Sequence, residues 1–383
     1  MNLVFSPDEY AMRQNQLIAK MEEENLDAII LFAQESLYWL TGLDTFGYCF
    51  FQCLIMTLDG QKTLLTRLPD SYQAEQTPTI ENVVIWHDHE SANPARDLRD
   101  VLNGLDLLGS RVGLEYQTTG LTAADSHLID EQLSSFCKLI DISNLVDHLR
   151  LIKSKQEIEY IKKAALLSDK IFDTSLNIIE KKASDAQILA AMVSTNLAEG
   201  GDFTANDYFI GSGKNALWCR ATTERRKLLT NDQITLEWSG AYRRYHAPMI
   251  RTVLIGKATK RHEELYDAAF DAMSAIEEHL KPGKTFSEPF DAYKQTLERR
   301  DMTRYRFSTC GYSVGARFAP TWVERQQFQA GNVIEIKTDM TLFASVILFD
   351  TDTQTAMTLA RTYLITAEGN ESLSRHPLDL VIK

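Results

Sequence analysis

The fold of this chain is decided by a stretch in which apolar and polar residues alternate, Ile234-Thr-Leu-Glu-Trp-Ser-Gly-Ala-Tyr-Arg-Arg-Tyr-His-Ala-Pro-Met-Ile-Arg-Thr252. In a β-strand, residues two apart share a face. Ile234 and Leu236 therefore point to one side, and Thr235 and Glu237 point to the other. The stretch predicts a strand that packs on a core and carries a carboxylate on its opposite side.

A second run, Ile334-Glu-Ile-Lys337, alternates in the same way and places Glu335 and Lys337 on the non-core side. Such positions are most often solvent-facing residues of a half-exposed sheet. Between the two runs lie His246 and a glycine-bracketed aromatic turn, Cys310-Gly-Tyr-Ser-Val-Gly315. This neighbourhood favours a site, in which His246 is a candidate general base or substrate-binding group. The alternative is a structural histidine.

The chain has 383 residues, which predicts two domains. Its first part alternates helical and β-rich patterns, beginning with a helix from about Pro7 to Glu24. The predicted strands of this part lie at 27–32, 52–57, 62–66, 83–86, 111–114 and 138–142. Ser154 and Glu157 form a capping box that starts a new helix. We therefore predict an α/β domain over 1–150 and a second domain over 151–383.

The second domain groups helices around strands that are separated by hairpin-like turns. A second capping box starts a helix at Ser184, and Pro282–Gly283 ends a third. The predicted strands lie at 208–210, 233–238, 249–255, 332–337, 344–350 and 358–366. This pattern predicts an α+β domain with a curved, mostly antiparallel sheet.

Composition limits the partners of the chain. Forty Lys and Arg stand against 53 Asp and Glu, which gives a formal charge of −13. Nucleic acid and anionic membranes repel such a chain, so we expect a small-molecule partner. The first residues lack the pattern of a secretory signal, and no apolar run reaches the roughly 20 residues that span a bilayer. We expect a cytoplasmic protein.

The five cysteines are Cys49, Cys53, Cys137, Cys219 and Cys310. Their number is odd and their spacing lacks the second pair of a zinc site. We expect free thiols that pack as small core residues, without disulfides or structural zinc.

Three stretches of the chain resemble the creatinase, prolidase and aminopeptidase P superfamily. They are Leu149-Arg-Leu-Ile-Lys-Ser-Lys-Gln-Glu-Ile-Glu159, the segment Leu236–Thr252 and the turn Cys310–Gly315. The resemblance implies a creatinase-like N-terminal domain and a C-terminal pita-bread domain, the fold shared by the M24-like enzymes. It also implies a homodimer in which the neighbouring N-terminal domain helps to close each site.

Peptidases of this superfamily hold two metal ions with two Asp, one His and two Glu. The matching positions here are Glu237, Pro248, Tyr312, Lys337 and Ala360. Proline and alanine offer no side-chain donor, the lysine ammonium repels a cation, and a neutral tyrosine replaces imidazole poorly. The chain therefore resembles a metal-free branch, and we expect neither a dinuclear centre nor another cofactor.

Within that branch the chain is most similar to ectoine hydrolases. The similarity rests on Tyr242–Thr252, on Cys310–Gly315 followed by Pro320–Arg325, and on Trp39–Gly42 and His376–Pro377. It implies hydrolysis of a C–N bond in a small amidine or amide zwitterion, such as ring opening of ectoine to an N-acetyl-diaminobutyrate. Glu237 is the candidate nucleophile or base, and His246 and Tyr312 are candidates to relay a proton or hold the tetrahedral intermediate.

Departures from the family pattern leave three readings open. Arg220 stands where these enzymes usually carry a histidine, and Lys337 and Ala360 replace acidic or neutral family residues. The candidate substrate-binding residues are Arg220, Arg251, Trp322, Glu335, Lys337 and Phe51. The first reading is the ectoine hydrolase type, acting on ectoine or a more anionic relative. The second is another enzyme on the same scaffold, such as a creatinase-like amidinohydrolase or a lyase, and the third is a non-catalytic ligand-binding protein.

Overall fold

In the computed structural model, which describes residues 3–383, the chain divides between Arg150 and Leu151 into two units. The first unit runs from Met1 to Arg150 and the second from Leu151 to Lys383. None of the helices in residues 3–383 combines the length and apolar character needed to cross a membrane.

The first unit is built on a six-stranded mixed sheet. Its strands are β1 (Ala28–Leu31), β2 (Cys53–Thr57), β3 (Lys62–Arg67), β4 (Asn82–Trp86), β5 (Arg111–Leu114) and β6 (Lys138–Asp141). Its helices are α1 (Pro7–Glu23), α2 (Gln34–Thr41), α3 (Leu68–Glu75), α4 (Pro94–Gly104), α5 (Ala123–Leu133) and α6 (Leu145–Leu149). The strand order is β4-β3-β2-β1-β5-β6, and only the two pairings of β2 are antiparallel.

Both faces of this first sheet are buried. Ile30 of β1 packs in one apolar cluster, whereas its neighbours Ile29 and Leu31 pack in another. A strand that is covered on both sides needs apolar residues at every position. This explains the continuous apolar run of β1.

The second unit carries the larger sheet. Its helices are α7 (Lys155–Ile178), α8 (Asp185–Ala198), α9 (Lys260–His279) and α10 (Ser287–Arg299). Its strands are β7 (Phe209–Ser212), β8 (Asp232–Tyr242), β9 (Tyr245–Ile255), β10 (Gly311–Ser313), β11 (Thr341–Asp350), β12 (Thr355–Thr366), β13 (Gly369–Ser372) and β14 (Val381–Ile382). The order is β10-β11-β12-β9-β8-β7, with β13 on β12 and β14 on β9. Every pairing is antiparallel except that of β14 with β9.

The two ends of the β8–β9 hairpin are fixed by local chemistry. Arg243 and Arg244 form its two-residue turn, and both have positive φ angles, 50° and 66°. Such turns match the twist of antiparallel strands. Before the sheet, Ser154 and Glu157 exchange the two hydrogen bonds of the predicted capping box at the start of α7. The hairpin therefore has a single register, in which Glu237 lies opposite Ile250.

One face of the second sheet is covered by helices. Ile234 and Leu236 of β8 are fully buried in a cluster with Ile171 and Phe172 of α7. A second cluster joins α9 and α10 to β11 and β12. The alternation predicted for β8 is therefore present, and Thr235 and Glu237 lie on the face away from these helices.

The predicted strand at 332–337 is wrong. Only an isolated bridge forms there, between Thr285 and Glu335. The backbone of this segment bonds instead to the loop before α10, since Phe286 N–H donates to the Ile334 carbonyl (2.8 Å) and Ile336 N–H to the Lys284 carbonyl (2.6 Å). The alternation arises because Ile336 is buried in the core, but the segment does not join the sheet.

Candidate active site

The face of the second sheet away from the helices gathers side chains from four strands. Glu237 of β8 lies opposite Phe209 of β7 and Ile250 of β9. Ile250 in turn lies opposite Ala360 of β12. These pairings place one carboxylate in the middle of an otherwise largely apolar surface.

A narrow cavity opens on this face beside Glu237. It is lined by Phe209, Ile210, Gly211, Trp218, Cys219, Thr235, Glu237, Ile250, Ile347, Phe349 and Thr358. Its free volume is about 10 Å³, which holds about one water molecule. Wider clefts exist, such as the one between Lys20 and Asn144 in the first unit. The Glu237 cavity is nevertheless the candidate active site, because it contains an enclosed carboxyl group with a perturbed pKa.

The Glu237 carboxyl group has an unusual environment. Burial raises its pKa from 4.5 to about 7, and the positive charge of Arg220 opposes that rise. Within residues 3–383 the carboxylate accepts no hydrogen bond. An unpaired carboxyl group that titrates near neutral pH can both accept and return a proton.

Arg220 and Cys219 reach the cavity on a tight turn. The Ala221 N–H donates to the Trp218 carbonyl (3.2 Å), so that Cys219 and Arg220 are the two central residues of the turn. The Ile210 N–H of β7 donates to the Ala221 carbonyl (2.9 Å) and pins the turn to the sheet. Arg220 is exposed and, among the described residues, forms no ion pair. Its charge acts on Glu237 without being neutralised by it.

Tyr312 and Trp322 form an aromatic wall near Glu237. The Trp322 indole N–H donates to the Tyr312 hydroxyl (3.0 Å), and the Trp322 backbone N–H donates to the Asn206 side chain (3.0 Å). Burial raises the pKa of Tyr312 well above its usual range, and the charge of Glu237 adds to that rise. Tyr312 is therefore a neutral hydroxyl that can donate one hydrogen bond.

His246 does not have the predicted role. Its side chain is fully buried, and its Nε2 accepts a hydrogen bond from the Ala205 backbone N–H (3.0 Å). Burial lowers its pKa to about 3. A neutral imidazole that satisfies a buried backbone N–H is a structural histidine. It lies behind the aromatic wall, 6.2 Å from Trp322 between ring centroids.

Arg251 is not brought to the cavity either. As the neighbour of Ile250 on β9, it points to the helix-covered face and is fully buried. Its Nη1 donates to the carbonyls of Ile250 (2.9 Å) and Ala360 (2.5 Å). The guanidinium ties β9 to β12 and has no access to a substrate.

Three further predicted substrate-binding residues lie away from the cavity. Glu335 and Lys337 are exposed on the segment that does not join the sheet, and neither lines the cavity. Phe51 is buried in the core of the first unit, where it packs edge to face against Phe32 with 5.2 Å between ring centroids. The cysteine expectation also needs a correction, because Cys219 lines the cavity and is not a core residue.

Comparison with known protein families covers both units. The model of metallopeptidase family M24 matches residues 159–367, and that of the creatinase/prolidase N-terminal domain matches residues 13–152. The chain belongs to metallopeptidase family M24. Every residue that lines the cavity lies within the M24 match.

Individual M24 relatives and structures agree with this assignment. The chain is 25% identical to an ectoine hydrolase from Halomonas elongata, across 100% of this chain and 99% of that protein. It is 20% identical to a Xaa-Pro dipeptidase from Pyrococcus furiosus, across 79% and 82%. A prolidase structure from Thermococcus sibiricus superposes with a TM-score of 0.86 at 18% identity, covering 98% and 99%. The predicted creatinase-like and pita-bread domains are thereby confirmed, while identities this low show the fold alone.

The metal chemistry of M24 peptidases does not fit these residues. Glu237, Pro248 and Ala360 lie on the same part of the sheet, where the Thr362 hydroxyl donates to the Pro248 carbonyl (3.0 Å). Glu237 is the only carboxylate that lines the cavity. Across residues 3–383, no group of three or more His, Cys, Asp or Glu side chains is placed to share a metal ion. The donor set of a dinuclear M24 centre is therefore missing.

Sequence reasoning missed part of this M24 cavity. Thr235 belongs to the same face as Glu237, so the alternation that revealed the carboxylate also predicts its position. Cys219 and Thr358 could not be found in this way, because they approach Glu237 from a turn and from β12. Their proximity depends on the strand order of the second unit.

Proposed function

We propose that this chain is a metal-independent hydrolase that breaks a C–N bond in a small amidine or amide zwitterion, most like ectoine hydrolase. The observation that carries the proposal is the unpaired Glu237 carboxyl group with a pKa of about 7. It stands in the place where M24 peptidases hold metal ions, among neighbours that cannot bind them. The full-length similarity to an ectoine hydrolase supports the same chemistry.

The charges of the site match a zwitterion. Glu237 is suited to contact a delocalised amidinium, because an enclosed carboxylate without partners gains most from a cation. Arg220, which has no ion pair, is suited to bind a substrate carboxylate through its planar guanidinium. The Tyr312 hydroxyl can donate to a nitrogen or to the developing tetrahedral centre.

The net reaction adds one water molecule across the C–N bond. The attacking group bonds to the amidine carbon and gives its proton to the Glu237 carboxylate. The C–N bond then breaks, and the leaving nitrogen takes that proton from Glu237. The products are an amide and a free amine, which for a cyclic amidine remain in one molecule.

A peptidase reading is less well supported. Xaa-Pro dipeptidase relatives favour it, but the ligand positions of their metal centre are replaced here. Binding without turnover is favoured by one observation, the narrow cavity, which must widen to admit any substrate. An enzyme that acts on a more anionic molecule is favoured by the free Arg220. We also propose a homodimer, which light scattering of the purified protein will test.

The first experiment is a thermal-shift screen against ectoine, hydroxyectoine, creatine and more acidic analogues, followed by mass spectrometry of the products. A ligand that binds only the folded protein raises the melting temperature. We expect a shift with ectoine or an acidic relative, and a product heavier by one water molecule. A shift without product would support ligand binding alone, and no shift with any amidine would contradict the proposal.

A further inference from the structure

We propose that the Cys219 thiol is the group that first bonds to the amidine carbon, with Glu237 as its proton acceptor. This inference rests on the proposed function and adds a covalent intermediate to it. It makes Cys219 a catalytic residue and Glu237 the acid and base that serves it.

The position of Cys219 is fixed from two sides. The turn Trp218–Ala221 is closed by its own hydrogen bond and pinned to Ile210 of β7. The residue before Ile210, Phe209, lies directly opposite Glu237 in the sheet. The thiol and the carboxylate therefore line the same narrow cavity, and the charge of Glu237 acts on Cys219.

The other nucleophiles near the cavity are engaged. The Thr235 and Thr358 hydroxyls both bond to the Thr252 hydroxyl, at 3.1 and 3.0 Å. The Tyr312 hydroxyl accepts the Trp322 indole N–H. Cys219 is half-buried and, in the described part of the chain, is not bonded to another side chain. It is the side chain best placed to attack a carbon held against Glu237.

Electrostatics make this thiol dependent on the substrate. Burial raises the pKa of Cys219, and the negative charge of Glu237 raises it further, so the resting group is a neutral thiol. An amidinium bound against Glu237 adds a positive charge at the same place, which favours the thiolate. Attack is thereby coupled to binding of a cation, and neutral electrophiles should react slowly.

The proposed steps conserve atoms and charge. The sulfur bonds to the amidine carbon, and the thiol proton passes to Glu237. The C–N bond breaks, the leaving nitrogen takes that proton, and a thioimidate remains on Cys219. Water then adds to the thioimidate carbon and gives a proton to Glu237. The C–S bond breaks, and the released sulfur recovers the proton, leaving an amide and an amine.

A labelling experiment tests the thiol without knowledge of the substrate. The full-length protein is treated with 2-chloroacetamidine or with its neutral analogue 2-chloroacetamide, and peptide mass spectrometry follows Cys219 and the exposed Cys49. We expect the cationic reagent to label Cys219 about tenfold faster than the neutral one, and Glu237→Gln to remove this preference. Cys49 is the control and should show no such dependence on Glu237. Equal preferences at the two cysteines would overturn the proposal.

A turnover experiment separates this inference from the proposed function. Cys219→Ser is expected to lower kcat by about a hundredfold or more, whereas Cys49→Ser leaves it unchanged. Acid quenching during turnover of a cyclic amidine should trap a protein heavier by one intact substrate molecule. Wild-type turnover that survives in both Cys219→Ser and Cys219→Ala would reject the thiol and keep the hydrolase. Absence of wild-type turnover, with selective labelling of Cys219, would reject the proposed hydrolysis and keep the reactive thiol.

Discussion

Two buried glutamates, one in each unit, show how similar acidities arise from different structures. Burial raises the pKa of both Glu115 and Glu237 to about 7. Glu115 accepts three hydrogen bonds, from the backbone N–H groups of Phe32 (3.0 Å) and Ala33 (2.9 Å) and from the Ser36 hydroxyl (2.6 Å). Glu237 accepts none within the described residues and faces a cavity.

The difference lies in what each carboxyl group is free to do. Glu115 satisfies the donors at the start of α2, and it is structural although its pKa is perturbed. Glu237 has no structural partner and can bind or move a proton. A perturbed pKa therefore marks a candidate site only when the group is also unpaired and accessible.

The largest expected effect comes from Glu237→Gln. Loss of the acid and base should lower kcat by about a thousandfold, measured as amidine hydrolysis, while circular dichroism remains unchanged. Glu115→Gln is the matched control and should stay within about threefold of wild type. Similar losses in both variants would place catalysis outside the Glu237 cavity.

The same variant should change how stability depends on pH. The folded pKa of Glu237 lies above its ordinary value, so its contribution to stability is full below about 4.5 and is lost as pH rises through about 7. Glu237→Gln should therefore gain stability over wild type between pH 5 and pH 8. Urea unfolding at both pH values measures this, and a relative loss at pH 8 would show that the carboxylate is stabilised by unseen partners.

Glu115→Ala should have the largest effect on stability. It leaves three buried donors without a partner, which costs about 2–4 kcal/mol. Chemical denaturation measures the loss, and Glu115→Gln should cost less because its amide oxygen can still accept the backbone N–H groups. A loss under about 1 kcal/mol would mean that water replaces the carboxylate.

Arg220→Gln should have a smaller effect that falls on the substrate. We expect KM to rise about tenfold for a substrate with a carboxylate and to change little for an analogue without one. Arg220 lowers the pKa of Glu237, so the rising limb of kcat/KM with pH should move to higher pH. Lys214→Gln, at an exposed position earlier in the same segment, is the control, and equal effects in the two variants would remove Arg220 from the site.

Tyr312→Phe should have the smallest effect. It deprives the buried Trp322 indole N–H of its acceptor, which costs about 1 kcal/mol of stability. We expect kcat to fall by about tenfold or less, as for the loss of one supporting hydrogen bond. A loss as large as that of Glu237→Gln would give Tyr312 the central role.

Much of this architecture can be read from local sequence. The capping box at Ser154, the alternation of β8 and the apolar run of β1 each predict an observed element, and motif similarity predicts both folds. Glu237 follows from alternation alone. The limits of local pattern are equally specific, because alternation at 334–337 reflects one buried isoleucine beside a loop and not a strand.

The rest of the site depends on contacts distant in sequence. His246 looks catalytic until Ala205 is seen to donate to it, and Arg251 looks like an anion-binding residue until the register turns it to the helix side. Cys219 looks like core until the turn that carries it is seen pinned to β7. In each case a strand pairing or a loop contact decides which side of the sheet a residue serves.

The most direct test of the central claim is amidine hydrolysis by protein stripped of metal. Wild type and Glu237→Gln are treated with a strong chelator, metal content is measured by plasma mass spectrometry, and ring opening is followed by mass spectrometry. The account predicts full wild-type activity with far less than one metal ion per chain, and loss of activity in Glu237→Gln. Activity that disappears on chelation and returns with manganese, cobalt or zinc would contradict it.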